Sequence, residues 1–581
     1  MAGFKNSAAK TSLFLLIFVI TSFFGIPQNQ PSSDPPRVTR VIVENADSSD
    51  LAQENNPNTY ILYGNVKFRH EGAYMYCDSA YIYHLTNSLD AFDNVRIEQG
   101  DTLFMYGDFL NYDGNTRISK MRGNVKMEHN DEVTLFTDNF DYDRNKDLAY
   151  YFGGGMLIDS INELTSLYGQ YSPDTKIAFF KDNVKMINPN FVLTSDTLEY
   201  NTETKIATIV SPTVIESDSG IVYTSRGWYN TVTEESMLYD RSTVVSKDKS
   251  KTITADSMLY DKAGGFVEAF GNMIMNDTIQ KVIITGNYGF YDENDEFAFA
   301  TDLAQMIEYS QSDSSYLHAD TIFMKTIGDE REIKAYHGVR FYRVDLQSVC
   351  DSLQYYTGDS ILRLYKNPII WNEDYQITGD TINIHLNDST IERMYVLNYA
   401  YAFEKIDSTY YNQLKGRNLT AFFDAGEIYK IEVEGNGEAI HYMLDNIDAA
   451  PLQLNKIEAP FLTFMIENRE VKRIAWYPNP KMDVHPIPDL NPNLKFLQGF
   501  VDYYYIRPKD KEDIFKKTEM RAEDIPAPRR TRQRQQQQEQ QQELQKEEPT
   551  LRQEQLEQQI ELLEEIQQEI QQVLQEEDQE D

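Results

Sequence analysis

Residues 254–261 read TADSMLYD, and nearly the same eight residues recur along the chain. Aligned on Asp256, TSRGWYN (224–230) lies thirty residues upstream and TSDTLEYN (194–201) sixty upstream. FTDNFDYD (136–143), YGDFLNYD (106–113) and YCDSAYIY (76–83) come before them. The shared aspartates are Asp78, Asp108, Asp138, Asp196, Asp256, Asp320, Asp351 and Asp380, with degenerate copies near Gly169, Arg226, Gly286 and Asn418. A period near thirty residues predicts a repetitive architecture whose units stack on their neighbours.

A second landmark lies in each unit: GNVKF (64–68), DNVRI (93–97), GNVKM (123–127), DNVKM (182–186) and GNMIM (271–275). Asn and Gly tolerate positive φ, so these read as tight turns that open strands. Polar tips such as DRNKD (143–147) and NTETK (201–205) separate the landmarks. With no helical period in the unit, and with 39 Tyr and 30 Phe suited to a pleated surface, the repeat is all-β.

The residue before each aspartate is small: Cys77, Gly107, Thr137, Ser195, Ala255, Ala319, Cys350 or Gly379. Two places after it comes an apolar residue, as in Ala80, Leu110, Phe140, Leu198, Met258, Ile322, Leu353 and Ile382. Four places after comes Tyr112, Tyr142, Tyr200 or Tyr260, or else Ile82 or Ile384. Strict alternation would bury an ionised carboxylate with the apolar set, which is costly. A bend at the small residue and the aspartate resolves this, with Asp bonded to nearby backbone N–H groups and the following residues turned inward. Asp78, Asp108, Asp138, Asp196, Asp256, Asp351 and Asp380 are therefore structural turn residues. A carboxylate repeated once per unit is neither a catalytic pair nor, in a chain with only 28 Gly, a glycine-rich calcium roll.

The net charge of −38 argues against nucleic acid, whose phosphates need Lys and Arg, and against anionic membrane surfaces. Lys5, Lys10 and SLFLLIFVITSFFGI (12–26) form an export signal over residues 1–30, either cleaved or kept as a membrane anchor. The apolar run is short against the ~20 residues of a span. The two cysteines, Cys77 and Cys350, occupy equivalent positions before an Asp-Ser pair and read as small core residues. The eight histidines show no ligand spacing, Gly153-Gly154-Gly155 lacks the Lys of a phosphate loop, and no nucleophile motif occurs. No enzyme, metal or cofactor is expected.

Gly64-Asn65-Val66, Asp78, Gly123-Asn124-Val125, Asp138, Asp182-Asn183-Val184, Asp196, Asp256 and Gly271-Asn272-Met273 together give a pattern that resembles the OstA-like domains of lipopolysaccharide transport. The resemblance is good from residue 60 to 275 and traceable to 488. It implies an elongated antiparallel β-jellyroll; this chain carries about a dozen units, more than the known bridge proteins, in parts 38–290 and 291–490, and longer repeat spacing marks breaks near 290–320 and 385–418. It also implies a periplasmic bridge that carries lipopolysaccharide or a related glycolipid in an apolar groove. That groove would be lined by Leu110, Phe140, Leu198, Met258, Ile322, Leu353 and Ile382. Implied partners are other jellyrolls, paired edge to edge, and the outer-membrane assembly protein. The inward residues would equally fill a closed core, so a structural spacer of the envelope is the alternative.

Residues 507–549 are polar, Pro-interrupted and Gln-rich, the composition of a disordered linker. Over 550–577, Leu556, Leu563 and Ile570, with Ile566 and Val573, mark an amphipathic helix or short coiled coil. It is either a docking element or a solitary helix.

Overall fold

The computed structural model describes residues 39–51, 58–309, 313–387, 390–445, 450–468, 470–521 and 523–524. The export segment and the C-terminal helix expected from sequence lie outside these residues. Among the described residues there are forty β-strands and four three-residue 3-10 turns, with no α-helix. They group into two compact units, residues 39–189 with 194–205, and residues 190–193 with 206–524. The division falls earlier than the breaks expected from repeat spacing. It coincides with the point where full-length strands give way to short ones: Phe191–Asn201 is followed by Ile206–Ile209, which stops short of the corner at Ser211-Pro212. A proline there cannot donate to a ladder.

In the first unit, antiparallel strands of ten to twelve residues follow one another by hairpins: Thr59–His70, Ala73–Tyr83, Ser88–Gln99, Leu103–Asp113, Ile118–His129, Val133–Asp143, Leu148–Ile158, Glu163–Ser172 and Ile177–Ile187. The Gly-Asn and Asp-Asn landmarks do not open these strands but sit inside alternate ones. At Gly64-Asn65 the register slips, pairing Tyr63 with Ser79 but Val66 with Cys77, so two residues oppose Asp78 alone. That is a β-bulge, and it bends the strand. Both residues of each such pair have positive φ: Gly64 and Asn65, Asp93 and Asn94, Gly123 and Asn124, Gly153 and Gly154, Asp182 and Asn183. Each strand is thereby folded at a corner into two halves, one in each of two facing sheets.

The second unit keeps the antiparallel order but breaks most strands at the corner into separate pieces, as in Ser315–His318 and Thr321–Ile327, or Tyr375–Thr378 and Thr381–Asn387. Its last long strands are Glu427–Leu444 and Pro451–Glu467. Beyond Lys481–Pro486 the chain leaves the sheet and runs back across the outer surface of one face as a strap. It is built from the 3-10 turns Ile487–Asp489, Pro492–Leu494, Tyr504–Ile506 and Asp513–Phe515. Under it lie outward-facing Tyr401, Phe403, Tyr411, Ile440, Tyr442 and Leu454, packed with Leu497 and Phe500. Ile369 and Trp371 likewise pack with Tyr503 and Ile506.

Three buried glutamines on successive parts of that face hold the strap, Gln413 and Gln376 by its backbone and Gln347 by a side chain. Gln413 donates to Lys495 O at 2.8 Å and accepts from Leu497 N at 2.9 Å. Gln376 donates to Val501 O at 2.9 Å and accepts from Tyr503 N at 2.8 Å. Gln347 accepts from Arg507 Nε at 2.7 Å, and Arg340 donates to Ile506 O at 2.9 Å. The strap ends with Phe515 against His318 and Lys517 bonded to Asp320. Residues 507–521, from the stretch that composition assigned to a linker, are thus seated: Ile514 is fully buried, and Met520 packs with the Trp371 and Tyr503 cluster. Composition alone cannot register that face, because it is made by a distant part of the chain.

Candidate functional site

The interior of the first unit is lined by one or two apolar side chains from every half-strand. On one side of the corners these include Leu62, Ala80, Leu89, Leu110, Met121, Phe140 and Phe180; on the other side they include Val66, Phe68, Met75, Ile97, Met105, Met127 and Leu135. All are essentially inaccessible to solvent. The seven positions expected to line a groove are all inward and buried: Leu110, Phe140, Leu198, Met258 and Ile382 at 0 % exposure, Ile322 at 1 % and Leu353 at 5 %. In the second unit, an apolar cavity bounded by Ile253, Met273, Met275, Ile284 and Phe290 holds only about 10 Å³. That is no more than one water's room. The interior is closed and packed.

One long edge of the interior is the row of corners. There the repeated aspartates point outward, as the bend required, but their usual partner is different from the expected backbone N–H. Asp78 accepts from the side-chain amide of Asn94 at 2.7 Å, Asp108 from Asn124 at 2.7 Å and Asp256 from Asn272 at 2.6 Å. Asp138 instead takes a backbone N–H from a corner asparagine, Asn124, at 3.4 Å. Asp196 accepts from the Thr197 hydroxyl, and Asp351 from Lys366, while the backbone N–H of Asp380 bonds to Leu397 and Asn398. The bonds of Asn272 and Arg241 hold the Asp256 carboxyl below its ordinary range. The aspartates are therefore corner braces. The small residue before each is explained by crowding: a Cβ at Gly107 would lie 3.2 Å from Met121 Cε.

The opposite long edge is formed where hairpin tips of the two sheets meet; it is joined through side chains, and at its first rung Thr39 and Val41 bridge His70 and Asn87. His70 Nδ1 and the Tyr112 hydroxyl share a hydrogen bond of 2.7 Å across the interior. Gln99 donates to the Tyr142 hydroxyl at 3.1 Å, and His129 Nδ1 lies 2.9 Å from that of Tyr171. Tyr200 donates to Asp159 at 2.5 Å, where Lys205 also bonds at 2.9 Å. Burial pushes the Tyr171 phenol up to about 12 and lowers both histidines, so this seam is neutral at its core. Asp159 is the exception. Its burial opposes ionisation, but bonds from Tyr200, Ile161 N–H, Lys205 and Asn162 N–H outweigh that and hold it below the carboxylate range.

Ion pairs finish the seam. Arg117 grips Glu71 with Nε at 2.7 Å and Nη2 at 2.8 Å. Arg144 donates to His70 O at 3.0 Å and Glu71 O at 2.5 Å. Sequence reasoning found the seam tyrosines as inward residues but missed their partners. The signal was there: His70, Gln99, His129, Asp159 and Asn188 recur at the same thirty-residue period.

Cys77 and Cys350 are buried, and burial pushes both thiols up to about 12, so they are inert packing groups. Among the described residues no three His, Cys, Asp or Glu are placed to hold a metal ion, and no helix is long and apolar enough to cross a membrane.

Residues 38–196 and 183–256 match the family profile of OstA-like proteins. Comparison with curated proteins gives no match. Among solved structures the chain is similar to LptH of Pseudomonas aeruginosa, described as the LptA-homologous periplasmic component of the conserved lipopolysaccharide transport device. The identity is 15%, over 24% of this chain and 80% of that one, with a TM-score of 0.15. The residues matched to the OstA-like profile, 38–256, hold the regular corners and the seam.

Proposed function

We propose that the chain is a non-enzymatic lipopolysaccharide carrier of the cell envelope, working in the periplasm and taking acyl chains between the two faces of its jellyroll. The observation that carries this is the unbroken apolar lining, renewed at every rung from Leu62 to Leu198, in the part of the chain that is OstA-like. Acyl chains gain ~0.8 kcal/mol per buried methylene, so a continuous lining suits them. At the start of the first unit the edge strand Ser48–Leu51 is fully exposed. In the second unit Lys481–Pro486 is an edge strand with Met482 and Val484 in solvent. Such edges are templates for strand addition by neighbouring jellyrolls, the outer-membrane assembly protein among them.

A second reading, a spacer that binds no lipid, is favoured by the closeness of the packing: Leu110, Phe140 and Met258 have no exposed surface. The two readings separate in one experiment. A photo-crosslinking amino acid at Leu110 or Met258, with exposed Lys120 as control, is irradiated in living cells. Lipopolysaccharide adducts at the two interior positions and not at Lys120 support the carrier. Their absence at both leaves the spacer.

A further inference from the structure

The outer surface of the first unit holds a pocket that lipid carriage does not use. Tyr63, Ser79 and Phe92 stand directly opposite one another on three successive strands, Thr59–His70, Ala73–Tyr83 and Ser88–Gln99. Ser79 is the small member, so a slot opens above it between two aromatic-bearing strands ~10 Å apart. Tyr81 closes a third side: its ring meets that of Phe92 edge-on, with centroids 5.5 Å apart and planes at 73°. Ile61 and the corner residue Asp93 complete a pocket of about 280 Å³. Sites for drug-sized ligands span ~300–1,000 Å³, so this one suits a compact group.

The rings of this pocket have no cation of their own, unlike those on the outer face of the other sheet. There Lys67 lies 4.4 Å from the Tyr74 ring centroid, Arg96 4.5 Å from that of Tyr76 and Lys126 5.8 Å from that of Tyr106. Among the described residues no Lys or Arg lies over Tyr63, Tyr81 or Phe92, although Tyr63 is 43 % and Tyr81 38 % exposed. The Asp93 carboxylate, likewise, has no hydrogen bond or ion pair among the described residues. Gly64, Gly123 and Gly153 fill the same place at other corners, so the bend does not require a carboxylate there. Asp50, exposed on the edge strand opposite Ile61, adds a second negative charge to the rim. Lys120 and Arg122 stand two strands beyond Phe92, and Arg122 is engaged by Asp141 at 2.8 Å and by the Phe152 ring.

We propose that this pocket binds an organic ammonium group, with Tyr63, Tyr81 and Phe92 as aromatic walls and Asp93 as its counter-ion. Aromatic faces carry negative potential and attract a weakly hydrated cation, and a carboxylate at the rim strengthens that field. A neutral apolar group gains the contact without the charge, and an anion is repelled by Asp50 and Asp93. The site is independent of the carrier reading, because it opens on the outside of the sheet and the acyl chains would lie on the inside.

The test uses the purified full chain. Choline, Nα-acetyl-lysine amide and the dimethylbutanol in which carbon replaces the choline nitrogen are titrated by calorimetry and by ligand-observed saturation-transfer NMR. Three variants are compared. Asp93→Asn removes the charge and keeps a residue that tolerates the left-handed backbone, as Asn94 does beside it. Phe92→Leu removes a wall. Asp131→Asn is the control, because Asp131 is another exposed aspartate of the first unit at positive φ.

At least one of the two ammonium probes should bind, and the neutral alcohol should bind at least about threefold more weakly than that probe. Asp93→Asn and Phe92→Leu should each weaken the ammonium probe by at least about threefold, and Asp131→Asn should leave it unchanged. Tighter choline assigns the site to small quaternary ammonium ions, and tighter lysine amide assigns it to a lysine side chain. Equal binding of the neutral alcohol overturns the site by making it an apolar dent. Equal weakening by Asp131→Asn overturns it by making the attraction that of the whole chain's net charge of −38. Unchanged binding in Asp93→Asn overturns it even if Phe92→Leu does not fold, as does no binding of either cation to the native chain.

Discussion

The two units solve the same problem, closing two facing sheets, by different means. In the first, strands pass through the corner unbroken, a bulge supplies the bend, and the tips are joined by the Tyr–His and Arg–Glu seam. In the second, most strands break at the corner, and one sheet is backed from outside by the strap held on Gln347, Gln376 and Gln413. The difference teaches where each unit's order is stored. The first depends on local chemistry repeated every rung, and the second on a contact between residues far apart in sequence, as with Gln376 and Tyr503.

The sharpest way to break this comparison is to cut one aromatic from each unit. Phe140→Ala empties a fully buried interior site of the first unit, and Trp371→Ala removes the floor beneath the strap. Each should cost about 3–5 kcal/mol. The pattern should differ, however. By hydrogen exchange, Phe140→Ala should expose Ile118–His129 and Leu148–Ile158, its paired strands. Trp371→Ala should free residues 501–506 while Ile361–Tyr365 stays protected. Equal loss at Ile361–Tyr365 would show that the strap is no separate layer.

Next in size is Gln376→Leu. It strands the N–H of Tyr503, the carbonyl of Val501 and the Trp371 indole N–H, which Gln376 accepts at 3.1 Å. An unsatisfied buried group costs about 1–3 kcal/mol. The variant should lose protection at 501–506 and keep the interior strands; full retention of strap protection would show that the aromatic floor alone suffices.

How much of this was legible follows from that division. The repeat, the all-β class, the inward set from Leu110 to Ile382 and the outward bend of the aspartates were readable, because a two-residue alternation and a thirty-residue period are local properties. The Gly-Asn pairs were recognised as positive-φ sites but placed at strand ends. A bulge and a hairpin turn demand the same residues, and only the pairing of Val66 with Cys77 distinguishes them. The Asn–Asp braces escaped notice because the partners stand sixteen residues apart on adjacent strands. The strap was hidden for the opposite reason: residues 507–524 are polar on average, and what seats them is a face assembled from residues 340–454.

The corners give a third, smaller test. Gly123 has φ +75°, and a Cβ there would lie 2.6 Å from Asp108 Oδ2. Gly123→Ala should cost about 1–2 kcal/mol for the left-handed backbone, together with displacement of the brace. Asn124→Ala, which only removes the amide bonded to Asp108, should cost about 0.5–1.5 kcal/mol. Denaturant melts ordered the other way would mean that the brace, not the backbone, makes the corner.

The smallest effect tests the seam. Burial lowers His70 and His129 below the ordinary histidine value, so between the folded value and ~6.5 the unfolded chain binds more protons than the folded one. Stability then rises with pH, and the seam loses stability as pH falls through ~6.5, levelling off below the folded value. Gln99 occupies the equivalent place one rung along and bonds Tyr142 without titrating. Replacing both histidines by glutamine should therefore keep the seam and flatten its pH response. His318 and His441 of the second unit are lowered by burial as well, so whole-chain melting would mix the two sources. Hydrogen exchange of Leu103–Asp113 and Glu163–Ser172 at pH 7.5 and 5.5 isolates the first. A pH response in those strands that survives both substitutions would place its origin outside the histidines and leave the seam tyrosines as packing groups alone.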